Sequence, residues 1–139
     1  MLGGVRIESA VHLQAHSDGD AIAHAVTDAV LGAAALGDIG ALFPDADAAN
    51  LNRDSMEMLG HAVARAHAAG WMVGQVDVVV IAETPKIASH RDAMRAHLAT
   101  TLGVDVSDVS IKGKTNERMG FIGRGEGLAC MATATLVAG

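Results

Sequence analysis

The chain has 139 residues with a formal net charge of −6, and half of the residues are hydrophobic although only 2% are aromatic. This length suits one domain that buries about two-thirds of the surface of its unfolded chain. Few aromatic residues and no Lys or Arg run argue against single-stranded or duplex nucleic acid as a partner. Cys130, the one cysteine, excludes an internal disulfide and lies in an apolar run, which is typical of a small buried side chain. No membrane-length apolar segment and no leader are found, so we expect a cytoplasmic protein without a membrane partner.

Hydrophobic spacing predicts three helices. The first covers about residues 19–36, is capped by Ser17 or Asp18, and ends at Gly37. The second begins at residue 54 or 55 and continues to residue 70. The third covers residues 86–102 and stops at the glycine that follows.

Runs of β-branched residues predict strands over 75–82, 109–112 and 128–137, after a turn and a short strand in the first seven residues. The run over 75–82 is nearly continuous in apolar residues, which indicates burial on both faces. The remaining segments, 37–54 and 113–127, are predicted loops. Helices on one face of a small mixed sheet give an α+β fold, with residues 1–139 forming a single domain.

Polar and ionisable side chains are concentrated between His16 and Asp28. Asp20, His24 and Asp28 are spaced i, i+4, i+8 on the predicted helix, on the face away from its apolar residues. His24 is either a metal ligand with carboxylate support or part of a solvent-facing stripe. His16 and Ser17 either bind a phosphate at the helix N-terminus or form a plain cap.

Five later segments carry further polar residues. Asp38 and Gly40 lie in a turn, where an Asp either binds sugar-like hydroxyls or only stabilises the turn. The segment 43–47 is either a flap or a solvated loop. Residues 82–86 follow a buried strand, so Lys86 either neutralises a phosphate or is merely exposed. The segment 112–117 combines two cations, a hydroxyl, an amide and an acid, which suit a diphosphate with its divalent ion but lack the spacing of a Walker loop. In the glycine-rich segment 120–127, Arg124 either pairs with Glu126 around an oligomer axis or binds an anion.

These blocks, in this order, resemble the 2-C-methyl-D-erythritol 2,4-cyclodiphosphate synthases of the non-mevalonate isoprenoid pathway. The His-Ser-Asp-x-Asp-x-x-x-His motif over 16–24, followed by Gly-Asp-Ile-Gly over 37–40, carries most of the resemblance. Phe-Pro-Asp over 43–45, Pro85-Lys86, Thr115 to Glu117, and Gly-Arg-Gly-Glu-Gly over 123–127 complete it. The match extends over essentially the whole chain.

The resemblance implies a homotrimer whose sheets surround a central axis, with active sites at the subunit interfaces. The implied reaction is a lyase-type cyclisation of 4-diphosphocytidyl-2-C-methyl-D-erythritol 2-phosphate, a cytidine diphosphate substrate. Its 2-phosphate attacks the β-phosphorus and CMP leaves. Such intramolecular phosphoryl transfer asks the protein mainly for positioning and charge neutralisation.

Residue roles follow from the same resemblance. His16 and Thr115 would be catalytic, and His24 would be a ligand of Zn²⁺ or another divalent cation. Mg²⁺ or Mn²⁺ would accompany the substrate diphosphate, in contact with Glu117. The implied substrate-binding residues are His16, Ser17, Asp38, Gly40, Phe43, Pro44, Asp45, Asp47, Ala82, Pro85, Lys86, Lys114, Thr115, Asn116, Glu117, Phe121 and Arg124.

Two departures from the family pattern bear on these expectations. Gly113-Lys114-Thr115-Asn116 replaces the family's common Ala-Thr-Thr-Thr but keeps the essential threonine. The family's first strand, whose Asp-x-His motif supplies the other two zinc ligands, is not found ahead of Gly3, so this form is expected to bind cytidine nucleotides with little cyclase activity. The competing interpretations are a catalytically impaired trimeric nucleotide-binding relative and a generic metal phosphohydrolase.

Overall fold

The computed structural model of the chain describes residues 1–7, 20–44, 53–84 and 86–139. The helices and strands within these ranges are α1 (Ala21–Ala33), α2 (Ile39–Leu42), α3 (Ser55–Ala68), β1 (Trp71–Ile81), α4 (Arg91–Leu102), β2 (Val109–Lys114), α5 (Gly120–Gly123) and β3 (Ala129–Ala138). A single 3₁₀ turn, Val106–Asp108, precedes β2.

The three strands form one mixed sheet in the order β2-β1-β3. The central strand β1 is parallel to β2 and antiparallel to β3, with Val78 opposite both Ile111 and Ala132. Helices α1, α3 and α4 pack on the sheet and on each other. The α+β prediction with helices on one face of a small mixed sheet is therefore confirmed.

The core lies between this sheet and the helices. Val76, Val78 and Val80 of β1 are 0% exposed and pack against apolar side chains of α1, α3 and α4. The alternate β1 residues on the opposite face, such as Val79 and Ile81, stay half-buried in the single chain. The predicted burial of this strand on both faces is therefore wrong for the isolated subunit, because the helices cover only one side.

Cys130 belongs to the same core region, on β3. It packs against the core from a half-buried position. Burial raises the pKa of its thiol to about 12, with a smaller contribution from the Asp20 carboxylate. The thiol therefore stays protonated near neutral pH, which agrees with the predicted role of a small apolar side chain.

Helix α1 begins later than its sequence pattern predicts. The cap is Asp20, not Ser17 or Asp18, and its Oδ1 accepts the Ala23 N–H at 3.0 Å. Asp20 is 0% exposed, so it does not share a solvent-facing stripe with Asp28, which is exposed. The carboxylate lies inside because backbone N–H groups of the N-terminal turn also need an acceptor there.

The end of α1 also differs from the prediction. Ala35, not Gly37, adopts the first left-handed conformation, with φ +57°. The Leu36 N–H then donates to the Leu31 carbonyl at 2.9 Å, which is the bonding pattern of a helix-terminating Schellman motif. The predicted loop that follows contains the short helix α2, capped by Asp38.

Helix α4 begins at Arg91, five residues after the predicted start at Lys86. Its cap position is His90, and the preceding residues form a turn in which the His90 N–H donates to the Ile87 carbonyl at 2.9 Å. This turn, not a helix, faces the end of β1. In the described parts of the chain, no helix has the length and apolarity needed to cross a membrane.

Candidate functional site

A pocket of about 170 Å³ lies at the carboxyl ends of the parallel strands β1 and β2. The Ala82 N–H donates to the Lys114 carbonyl at 2.9 Å, which holds the two strand ends side by side. The turn before α4 forms the other wall. The lining residues are Ala82, Lys86, Ile87, Ala88, Arg91, Gly113, Lys114 and Thr115.

Four residues predicted from separate motifs meet in this pocket. Ala82 and Lys86 come from the first strand end and its following turn, and Lys114 and Thr115 come from the second. They converge because parallel strands carry their carboxyl ends to the same edge of a sheet. Ligand sites of α/β layers commonly form at this edge.

Cations dominate the polar part of the pocket wall, with Lys86, Arg91 and Lys114 around one cavity. Sequence reasoning missed Arg91. Its Nε is buried and has no hydrogen-bond partner among the described residues. A buried donor without a partner is costly, so this Nε is available to an acceptor on a bound molecule. The sequence does show an arginine about one helical turn after Lys86. Because the helix was predicted to begin at Lys86, the sequence did not indicate that this side chain lines the pocket.

The loop after β2 is held by a second residue that sequence reasoning did not select. Glu83 Oε1 accepts the N–H of Asn116 at 3.0 Å and that of Arg118 at 2.9 Å. Glu117, between these two residues, has a positive φ of 52°, and its N–H donates to Thr115 Oγ1 at 3.4 Å. The predicted residues Thr115, Asn116 and Glu117 are thus consecutive parts of one constrained loop beside the pocket.

His24 lies on α1, close to the start of α3. The distance from its Nε2 to Ser55 Oγ is 2.9 Å, and Ser55 is fully buried. The two carboxylates predicted to support His24 bind backbone instead: Asp20 as described above, and Asp28 by accepting the Ile39 N–H at 2.7 Å. No group of three His, Cys, Asp or Glu side chains able to hold a metal occurs within residues 1–7, 20–44, 53–84 and 86–139. These residues alone do not fit a zinc site.

Asp38, Gly40 and Phe43 lie on α2 and its end, outside the lining of the pocket. Asp38 Oδ1 accepts the Ala41 N–H at 2.8 Å as the helix cap. Phe43 is buried: the Arg53 guanidinium lies 4.7 Å from its ring centroid and the His61 ring 5.9 Å from it, edge to face. The aromatic ring is therefore a packing centre between α2 and α3 in this subunit.

Phe121 and Arg124 lie in and after α5, also outside the pocket lining. Phe121 is 54% exposed. Arg124 forms two hydrogen bonds to Glu126, at 3.0 and 3.1 Å, and these bonds lower the pKa of Glu126 and raise that of Arg124. Arg124 and Glu126 therefore form an ion pair within one chain. Other predicted residues lie outside the described ranges: His16, Ser17, Asp45, Asp47 and Pro85.

Comparison with known sequences identifies the family to which the chain belongs. A sequence model of the YgbB family matches residues 1–137. The 2-C-methyl-D-erythritol 2,4-cyclodiphosphate synthase of Gemmatimonas aurantiaca is 63% identical over 137 residues, which are 99% of this chain and 82% of that protein. The chain belongs to the YgbB family of cyclodiphosphate synthases.

Solved structures of cyclodiphosphate synthases share the fold. The bifunctional IspDF of Campylobacter jejuni superposes with a TM-score of 0.95 at 42% identity, covering all of this chain and 38% of that longer one. A complex of the Plasmodium falciparum protein with CDP gives a TM-score of 0.86 at 38% identity, over 99% of this chain and 82% of the other. A cyclodiphosphate synthase of this fold therefore binds a cytidine diphosphate.

Proposed function

We propose that the chain converts 4-diphosphocytidyl-2-C-methyl-D-erythritol 2-phosphate to 2-C-methyl-D-erythritol 2,4-cyclodiphosphate and releases CMP. The observation that carries the proposal is the meeting of Ala82, Lys86, Lys114 and Thr115 in one pocket at the ends of two parallel strands. A cationic pocket with one hydroxyl suits a nucleotide whose phosphates must be held while another part of the same molecule attacks.

The chemistry is an in-line phosphoryl transfer within one substrate molecule. The 2-phosphate oxygen forms a bond to the β-phosphorus, and the bond from that phosphorus to the CMP oxygen breaks. Lys86, Arg91 and Lys114 would neutralise phosphate charge, and the Thr115 hydroxyl would donate a hydrogen bond to an oxygen on the reacting phosphorus, where charge is carried in the transition state. His16 and Ser17 would hold the attacking phosphate. Asp38 and Gly40, with the 43–47 segment, would bind the methylerythritol part.

The metal ions belong to the same proposal. The family is metal-dependent, and we assign Zn²⁺ or another divalent cation to His24 and Mg²⁺ or Mn²⁺ to the diphosphate beside Glu117. The described residues supply one zinc ligand, so the remaining ligands would come from elsewhere. The cation would add positive charge at the phosphates when bound. Function in the cytoplasm is part of this proposal.

The proposal is tested by incubating the purified protein with the substrate and a divalent cation, and by following CMP by chromatography and the cyclic product by ³¹P NMR. Equal amounts of CMP and cyclic diphosphate are expected. CMP with an acyclic product would indicate hydrolysis and would contradict the cyclase assignment. Nucleotide binding without any turnover would contradict it as well.

Arg91→Met is predicted to weaken CDP binding about tenfold, because the ligand would lose a cationic donor that includes the buried Nε, while the pocket keeps its other two cations. Isothermal titration calorimetry with CDP measures the change. Arg65→Met, which removes the same charge from the end of α3, is the control and is expected to bind like the unsubstituted chain. Equal affinity of the Arg91 variant and the control would show that Arg91 does not contact the nucleotide.

We further propose that three chains assemble through the sheet face opposite the helices. Exposed apolar side chains lie on this face in the single chain: Met72 is 45% exposed, Met131 61% and Val137 49%. Met131 lies opposite Val79 in the register of β1 and β3, so these apolar residues adjoin on one surface. An exposed apolar sheet face of this kind is typical of an interface between subunits.

Met131→Glu is predicted to convert the assembly to monomers, since three carboxylates would be desolvated close to one axis. Size-exclusion chromatography with light scattering reports the mass, and activity should fall with it because the family resemblance implies active sites at the subunit interfaces. Val106→Glu is the matched control: Val106 is 41% exposed but lies in the 3₁₀ turn before β2. A trimer that persists in the Met131 variant would rule out this face as the interface.

A further inference from the structure

The loop that carries Thr115, Asn116 and Glu117 adopts a backbone conformation that its residues do not favour. Glu117 has φ +52° and Arg118 has φ +64°, so two successive side-chain-bearing residues are left-handed. Each such residue costs free energy relative to glycine and persists only where the surroundings constrain it. The loop therefore needs an external restraint to keep the Thr115 hydroxyl beside the pocket.

Glu83 is that restraint. Its Oε1 accepts the N–H groups of Asn116 and Arg118, which flank Glu117, at 3.0 and 2.9 Å. Glu83 follows directly after β1 and Ala82, so the carboxylate is fixed to the same strand end that forms the pocket wall. Within the described residues, the side chain makes no ion pair. Its described hydrogen bonds are both to the loop backbone.

Both hydrogen bonds end on one oxygen atom. One acceptor oxygen in this position therefore meets both N–H groups, whether or not its group is charged. A glutamine carbonyl oxygen can accept the same two N–H groups, whereas alanine leaves them without this partner. The two substitutions therefore have different effects: glutamine removes only the charge, whereas alanine removes both the charge and the acceptor.

We infer that Glu83 is a positioning residue of the phosphoryl-transfer site, acting as the backbone acceptor that holds the loop 115–118 and so orients the Thr115 hydroxyl. This role rests on the proposed cyclase function. A small displacement of a reacting or stabilising group is enough to slow such a reaction strongly, because the site supplies chiefly geometry. Nucleotide affinity depends more on the pocket walls, which Glu83 does not line.

The test compares Glu83→Ala, Glu83→Gln and the control Glu57→Gln, which changes an exposed carboxylate on α3. Glu83→Ala is expected to lower kcat about 30-fold while KM and the Kd for CDP change by less than about threefold. Glu83→Gln is expected to keep most of the activity. Equal impairment of the Gln and Ala variants, or an unchanged kcat in Glu83→Ala, would overturn the inference.

Hydrogen exchange measured by NMR tests the positioning without using turnover. In Glu83→Ala, the amides of Asn116 and Arg118 are expected to exchange at least about tenfold faster, whereas core amides of β1 keep their protection. Unchanged exchange of both amides would overturn the role of Glu83, whatever the activity. Absence of turnover in the unsubstituted chain, with faster loop exchange in Glu83→Ala, would instead count against the proposed function and leave the positioning intact.

Discussion

Asp20→Ala is expected to lower the free energy of unfolding by about 3 kcal/mol. The Asp20 carboxylate is 0% exposed and, among the described residues, accepts the backbone N–H groups of Gly3 and Gly4 at 2.8 Å and of Ala23 at 3.0 Å. Alanine would remove the cap of α1 and leave buried donors without an acceptor. The turn between Leu2 and Val5 would also lose its attachment to the helix. Urea unfolding at fixed protein concentration measures the loss.

Two further variants separate the contributions of this carboxylate. Asp20→Asn keeps an acceptor for the two N–H groups on Oδ1 but turns an NH₂ group toward the Gly4 N–H, so we expect an intermediate loss. Asp28→Ala removes an exposed carboxylate that accepts a single N–H, and should cost at most about 1 kcal/mol. A loss for Asp20→Ala no larger than that for Asp28→Ala would refute the structural role of Asp20.

Thr115→Val is expected to reduce kcat about 100-fold with little change in KM, because a donor aimed at developing charge acts mainly in the transition state. Valine preserves the shape of threonine and removes only the hydroxyl. Thr115 lines the pocket next to Lys114, so its hydroxyl can approach a phosphate held there. Steady-state release of CMP gives both constants, and circular dichroism verifies the fold.

Thr115→Ser is the matched control for this hydroxyl. Serine retains the donor and the acceptor for the Glu117 N–H, which lies 3.4 Å from Thr115 Oγ1. We therefore expect activity within about fivefold of the unsubstituted chain. If the valine and serine variants were equally active, the hydroxyl would have no part in the reaction. If both were equally impaired, the hydroxyl alone would not be sufficient, because serine retains it and lacks only the β-methyl group.

The order and type of the main elements were predictable from local pattern. Apolar residues at helical spacing predicted α1 and α3, and the β-branched run around Val78 predicted β1. The ends of the elements were less predictable. Asp20 was predicted to lie on a polar stripe because its spacing matched that of His24 and Asp28. Local spacing contains no information about the N–H groups of Gly3 and Gly4, about sixteen residues earlier, which require a buried acceptor.

The motifs of the site were recognisable in the sequence, whereas the contributions of two residues to the site were not. Lys86, Lys114 and Thr115 belong to blocks with a characteristic order, and the family and its reaction follow from those blocks. Glu83 and Arg91 depend on contacts between segments about 30 residues apart, or on a helix that starts five residues later than its pattern predicts. No local periodicity encodes either relation.

The sequence by itself determined the family, the α+β class and the chemistry of the individual motifs, because residue type and spacing are local properties. Only the tertiary structure decided which motifs meet. Parallel pairing of β1 with β2 brings Ala82 beside Lys114 and closes the pocket, and the burial of Asp20 makes it a backbone anchor instead of a support for His24. The physical reason is that both the pocket and the Asp20 anchor depend on hydrogen bonds between distant segments. These bonds form only when the chain packs into a sheet with one covered face.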